Sequence, residues 1–412
     1  MLGGEQNRTM LRWVSALGAT ARNTTKPVRS RIGKRNKAIS RRAGRVKLLP
    51  AVVFAIVAGV GVAVIAYWVL HKLTPTSNAQ AAPIDLTKVA LTVVAGVGGV
   101  VALVIAYRRQ RDIEQSRFVE RFGAAAAQLG ATDVAVRIAG VYAMAGVADE
   151  TDGLRQQQCI DVLCGYLRLP YSPELGANHQ SKLVVKHHRA TADNTRADDQ
   201  ERHHEYRHND REVRATILRV IADHLRLNAE YSWSTRGFDF RTAYLENVDF
   251  SRVRFLNSAR FDDAIFSGNA GFDGATFSSN ARFGGANFSG NTGFDGATFC
   301  GDTWFDGATF SGNTRFEDAT FCDAAWFGGA TFSGSNTRFD GTTFSGNTRF
   351  GGASFVGYVQ FKKVDFGSGP ISFVDPRQWG PPAPKFDWDQ DIDQKPANIE
   401  PQAWPPAGAE GA

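Results

Sequence analysis

The stretch FDGATFSGNTRFEDATF, Phe305 to Phe321, decides the fold. Its phenylalanines fall alternately five and six residues apart, and near-copies of it run from about Phe261 to Phe355. Between Phe240 and Phe366 there are twenty-four large apolar centres on this rhythm. The first steps are of five residues, fives and sixes then alternate, and a single seven separates Phe332 from Phe339, where Ser335 is an inserted residue. An eleven-residue period also suits a right-handed coiled coil, but the Gly, Asn and Thr in every unit are poor helix formers and exclude it. The remaining reading is a β-solenoid.

Two positions before most centres stands a small residue, such as Thr303, Ala308, Thr314 and Ala319. Strand positions two apart point the same way, so each short side turns one small and one large residue inward. The predicted interior ladder therefore contains Phe261, Phe266, Phe272, Phe277, Phe283, Phe288, Phe294, Phe299, Phe305, Phe310, Phe316, Phe321, Phe327 and Phe332. The Ser, Gly and Asn after each ring suit tight corners. Two corners break the wording, CGDTW at 300–304 and CDAAW at 322–326, and they lie 22 residues apart. Two eleven-residue units then make one turn with four sides, and irregular residues stack on their like. Twenty-four centres on four sides predict about six coils and a rod about 29 Å long, at roughly 4.8 Å per coil. Cys300, Trp304, Cys322 and Trp326 should border one corner and form a candidate docking spot, since Trp is enriched among binding hot spots. Adjacent coils also bring the two thiols within the Cα range of a disulfide.

This array, residues 238–373, resembles the pentapeptide-repeat family, whose units centre on Leu or Phe with a small residue two places earlier. The resemblance implies a right-handed, four-sided β-helix. The extra residue in every second unit is similar to a Phe-rich subfamily. RFVERFGAAAAQLGATDVAVRIAGVYAMAGVA, 117–148, resembles the helical region between membrane spans and repeats in actinobacterial, membrane-anchored members.

The rest of the chain differs in kind. Residues 1–50 hold thirteen Lys or Arg against the single acid Glu5, a basic arm. Two apolar runs follow, 51–70 and 89–107, each uncharged and near the roughly 20 residues a helix needs to cross a bilayer. Arg41, Arg42, Arg45 and Lys47 precede the first, and Arg108, Arg109 and Arg111 follow the second. The positive-inside rule makes residues 51–107 a transmembrane hairpin with both termini and the solenoid on the cytoplasmic side, and the resemblance to actinobacterial members implies a bacterial cytoplasmic membrane. Residues 108–230 form a small all-α module by their helical period. Its apolar positions are Phe118, Phe122, Ala125 and Leu129; Val134, Ile138, Val141, Tyr142 and Met144; Ile160, Leu163, Tyr166 and Leu167; and Ile217, Leu218, Ile221 and Leu225. The last part, 374–412, holds eight prolines. It is expected to cap the coil around Trp379, not to extend it, and then to continue as a disordered tail.

A His-rich linker, 180–210, contains His204-Glu205-Tyr206-Arg207-His208, the H-E-x-x-H spacing of zinc proteases. That chemistry needs both histidines on one face of a buried helix, whereas Arg207, Asn209, Asp210 and Arg211 make a charged run. A solvated linker is the expected reading, with His224 or Glu230 as the third ligand of the less favoured metal site. No unit of the array supplies a nucleophile with a base, a phosphate loop or paired carboxylates, so no catalytic residue and no cofactor is expected. The array carries fourteen Asp or Glu and ten Lys or Arg, near −4, with no basic stripe for nucleic acid. The sequence points to a membrane-tethered, non-enzymatic cytoplasmic scaffold for protein–protein interaction, its partners the lipid bilayer and an unknown cytoplasmic protein. The alternative implied by the resemblance is a DNA mimic that binds DNA gyrase.

Overall fold

The computed structural model describes residues 83–176, 182–187, 200–205 and 210–407, with five positions between 61 and 72. The chain divides into two compact units, residues 1–115 and 116–412. The first predicted span, 51–70, lies outside the described residues but for four positions. The second falls within helix α1, Pro83–Leu129, whose side chains are described only beyond residue 94. Among the described residues no helix is long and apolar enough to cross a membrane. Val100, Leu103 and Tyr107 of α1 are exposed.

Three further helices build the core of the module: α2 (Val134–Asp149), α3 (Gly153–Leu167) and, after the one-turn α4 (Pro173–Gly176), α5 (Asp210–Leu225). Asp133 starts α2 by accepting the backbone N–H groups of Ala135 at 2.7 Å and Val136 at 3.2 Å, which satisfies donors that a helix start leaves open. Gly140 lets α2 approach α1 closely, since a Cβ there would stand 2.6 Å from the Leu129 nitrogen. Val141, Met144, Ile160, Leu163, Ile217 and Ile221 fill the interior. Tyr142 does not join them: it is exposed, its hydroxyl accepting a bond from Arg219 at 3.3 Å. Within the expected linker, β1 (Lys182–His187) and β2 (Gln200–Glu205) pair antiparallel, with Leu183 opposite His204.

The helices close the first coil. Arg137, fully buried, donates to Asp210 at 2.6 Å and to the Tyr166 hydroxyl at 3.1 Å. Arg214 reaches on into the coil and donates to the Tyr244 carbonyl at 2.9 Å. Arg168 of the module pairs with Asp239 of the first coil at 2.8 Å. Trp233 is buried beneath, its indole N–H on Asp149 at 2.8 Å and its ring stacked on His224 at 4.0 Å.

From Phe238 the chain winds as four parallel strand ladders. Most coils advance by 22 residues, so Thr309–Phe310 pairs with Asn287–Phe288 below and Thr331–Phe332 above. Each inward ring stacks on its counterpart in the next coil, Phe288 on Phe310 at 4.8 Å and Phe310 on Phe332 at 5.2 Å. Rings of adjacent sides meet edge to face, as Phe310 and Phe316 do at 6.0 Å. Both are preferred aromatic geometries. All fourteen phenylalanines of the interior ladder are at most 1 % exposed.

The alternation of five and six comes from two kinds of corner. In the five-residue step, Phe272 to Phe277, the Ala275 N–H bonds back to the Phe272 carbonyl at 2.9 Å, and Gly274 has φ +65°. Positive φ at the third residue of a four-residue turn is what type II requires and what glycine adopts without strain. The six-residue corner, SGN and its variants, has no such turn, and there the coils approach so closely that a Cβ on Gly290 would run into the Gly268 carbonyl. The inward threonine after this corner donates its hydroxyl to the carbonyl two residues back, Thr314 to Gly312 at 3.2 Å and Thr303 to Gly301 at 3.2 Å. Ser335 lengthens one corner, and the step from Thr314 to Thr337 is 23 residues while the pairing holds. Thr337 is the exception it leaves, a buried hydroxyl with no hydrogen-bond partner.

The expectation for the tail is corrected. Gln378–Trp379 pairs with Ser354–Phe355, Lys385–Phe386 with Gln360–Phe361, and Ile399–Glu400 with Ile371–Ser372. Prolines do not prevent this, because they fall in the enlarged corners between strands, where no ladder N–H is needed. The solenoid therefore runs to residue 400, not 373. One ladder holds eight strands, Phe238–Asp239 to Ile399–Glu400, which makes seven coil-to-coil steps and a rise of about 34 Å. Trp379, Trp388 and Trp404 close the last coil, Trp404 set edge-on to Phe386 at 5.1 Å.

Candidate docking surface

Along one side of the coil the outward position is filled in turn by Arg260, Arg282, Trp304, Trp326 and Arg349, each in register with the next. Cross-strand neighbours in register lie about 5 Å apart, so the two indoles form a pair. Arg282 lies over the Trp304 ring at 5.4 Å and Arg349 over the Trp326 ring at 4.7 Å. A guanidinium over an indole is held by the ring quadrupole, so the tryptophans are bracketed from both ends. Asp262 holds the foot of the column by pairing with Arg260 at 3.4 Å and Arg282 at 2.9 Å. The indole N–H of Trp326 is buried with no hydrogen-bond partner. A buried donor left unpaired costs about 1–3 kcal/mol, and an acceptor brought by a docked molecule could satisfy it only with some shift of the ring.

Cys300 and Cys322 are exposed and free, at the end of the preceding side. They and the tryptophans border the same corner of two successive coils. The Cys322 thiol is pushed above its ordinary pKa, first by partial burial, then by the neighbouring Cys300 thiol and by Asp323.

The opposite side carries a second column, which the reading of the sequence above did not single out. Asp273, Asp295, Glu317 and Asp340 recur at the same corner, and arginines one coil above reach down to them. Arg315 meets Asp295 at 2.6 Å and Asp273 at 3.7 Å, and Arg338 meets Glu317 at 3.2 Å. Several of these carboxylates also accept the backbone N–H of the next coil, Asp273 from Asp295 at 3.1 Å and Asp340 from Lys362 at 3.0 Å. The acids are thus tied to the coil, not held out as a free anionic stripe. The signal for this lay in the repeated FD at 22-residue spacing.

Near the first coils an open cleft of about 1120 Å³ is lined by Arg226, Arg252, Arg254, Asp249, Asp273 and Asp295. Its cations and carboxylates balance. His204 and Glu205 end a strand, and His208 lies outside the described residues. The backbone of His204 and Glu205 is strand, not the helix on which a zinc-protease motif sits. His224 is engaged elsewhere, with the Val220 carbonyl and Asp149. Among the described residues no three His, Cys, Asp or Glu gather to hold a metal.

Residues 240–285, 250–298, 272–320 and 294–337 match the family model described as pentapeptide repeats (9 copies). The array belongs to the pentapeptide-repeat family. No curated protein and no solved structure matches the chain. The pentapeptide-repeat match ends at residue 337, while the paired strands of the solenoid continue for two further coils and the cap.

Proposed function

We propose that this chain is a membrane-tethered scaffold on which a cytoplasmic protein docks, without enzymatic activity. The observation that carries the reading is the bracketed tryptophan pair, Trp304 and Trp326, on a stiff pentapeptide-repeat coil. A solenoid presents flat, regular faces whose side chains keep fixed spacing, and a rigid aromatic pair offers contact area at little cost in conformational entropy. The membrane part of the reading rests on the two uncharged runs, 51–70 and 89–107, and on the arginines that flank them. On that reading the exposed apolar residues of α1 face lipid, and the array stands on the cytoplasmic side of a bacterial membrane. The DNA-mimic alternative draws no support from the acidic column, since arginines neutralise much of it.

Proximity labelling in the native cell tests the docking. A fusion of the full chain should enrich a protein that the Trp304→Ala, Trp326→Ala double variant no longer enriches, with both forms present at equal level in the membrane fraction after alkaline wash. Equal enrichment by both would reject the docking column, and recovery of the chain in the alkaline supernatant would reject the tether.

A further inference from the structure

Cys300 and Cys322 occupy one position in successive coils. Their N–H groups donate to the carbonyls of Phe277 and Phe299, both at 2.8 Å, and the strands that lead into them pair Phe299 with Phe321. Both thiols are exposed, and the register sets them on neighbouring strands at the same corner. The same column holds Ser278 one coil below and Ser345 one coil above, so a hydroxyl is accepted there and the coil does not need sulfur to fold. What sulfur adds is two soft donors held side by side by the backbone.

In-register parallel strands keep Cα and Cβ atoms at about the coil spacing, roughly 4.8 Å. That lies within the Cα range of a disulfide but beyond its usual Cβ separation of about 3.5–4.5 Å. A bridging atom larger than a bond spans this gap without pulling the coils together. Tetrahedral zinc needs four ligands, and no group of three or more metal-ligating side chains stands among the described residues. Thiolates favour soft ions such as Cu(I), and two of them suffice for an ion or metalloid that accepts two protein ligands.

We infer that Cys300 and Cys322 form a two-thiol site that binds a soft, thiophilic metal or metalloid across two adjacent coils. With an organoarsenic(III) oxide, two S–H protons and the arsenic-bound oxygen leave as one water while two As–S bonds form, with no change of oxidation state. With Cu(I), two protons are released and a dithiolate complex forms. The site is independent of the docking partner and of the membrane tether.

The test uses the reduced full chain and phenylarsine oxide, followed by intact mass after a wash with excess monothiol. One equivalent should remain on the native chain. Cys300→Ser and Cys322→Ser should each lose it, because removing one thiol forfeits an effective-concentration gain of roughly a hundredfold or more. The buried Cys159 and Cys164, unaltered in these variants, serve as the internal control. Moving the pair one coil down, Ser278→Cys with Cys322→Ser, should restore retention, whereas Ser311→Cys with Cys322→Ser, on another side, should not. Protection of the native pair by Cu(I) would assign a metal to it, and lack of protection would confine it to trivalent metalloids. Retention that survives Cys322→Ser overturns the site, as does failure of the relocated pair. Spontaneous closure of a Cys300–Cys322 disulfide in the native chain in air, with no arsenical uptake, also overturns it.

Discussion

Replacing Phe310 by Ala tests the physical basis of the coil. The ring is fully buried, stacked on Phe288 at 4.8 Å and Phe332 at 5.2 Å, and flanked by Phe305 and Phe316 at 6.0 Å. Removing its apolar surface from the interior forfeits about 1.5–3 kcal/mol of transfer free energy. The cavity adds to that, and buried Phe→Ala changes typically cost about 3–5 kcal/mol. Two stacked contacts of about 0.5–1.5 kcal/mol each also vanish, so the upper part of that range, about 4–5 kcal/mol, is expected here. The controls are its chain neighbours. Ser311→Ala alters an exposed corner side chain and Thr309→Ala an outward one, and each should stay within about 0.5 kcal/mol of the native chain. Urea unfolding of the full chain, followed by tryptophan fluorescence, gives the differences directly. Phe332→Ala should cost a similar amount alone, and the double variant less than the sum, because the two rings share one contact. A Phe310→Ala cost no larger than that of Ser311→Ala would refute an interior held by stacked rings.

Three further outcomes are expected. Thr314→Val should destabilise by about 1 kcal/mol in urea unfolding, since it removes a hydroxyl that donates to the Gly312 carbonyl, while Thr337→Val should be neutral or stabilising because that buried hydroxyl has no partner. Arg137→Ala should cost about 3–5 kcal/mol by leaving the Asp210 carboxylate buried with only the Tyr166 hydroxyl and the more distant Arg214 guanidinium, and far-UV circular dichroism on heating should show the helices melting before the coil. Asp239 is held below the usual carboxylate range, first by hydrogen bonds from the Arg241 side chain and then, against the opposing effect of burial, by the Arg241 backbone N–H and the Arg168 charge. Its stabilisation is thus present above the ordinary carboxylate pKa and lost as pH falls toward the lowered one; Asp239→Asn should narrow the gap in Tm between neutral pH and about pH 3.

The coil was legible because its rule is short-range and repeated: Phe305, Phe310, Phe316 and Phe321 each restate the same inward step. The four-sided turn was legible from Cys300 and Cys322, where an irregularity recurs at one full turn. The end of the solenoid was not. Trp379, Phe386 and Ile399 take interior positions at steps of 24, 25 and 28 residues, and enlarged corners break the period that sequence reading depends on. Tyr142 shares the helical spacing of its apolar neighbours yet faces outward, since one aromatic at the margin of a helix stripe has no period of its own. The hairpin of β1 and β2 was hidden by its charge, because Lys182–His187 and Gln200–Glu205 lack the apolar alternation that marks a half-buried strand. Of the candidate docking surface, the Trp and Cys positions were readable and the bracketing by Arg282 and Arg349 was not, as that depends on side-chain direction across coils.

The corner that holds Ser335 shows where this chain tolerates change in length. One added residue there leaves Phe316 stacked on Phe339 at 4.8 Å and the strands still paired, and the cost is confined to a single hydroxyl at Thr337. Length and register are therefore separate properties of the rod: sides fix the register, while wide corners absorb additions. A peptide epitope or a reporter loop spliced in beside Ser335 would ride on the outside of an unaltered column of rings, which makes this corner the natural handle for attaching cargo to the protein without disturbing either of its ends.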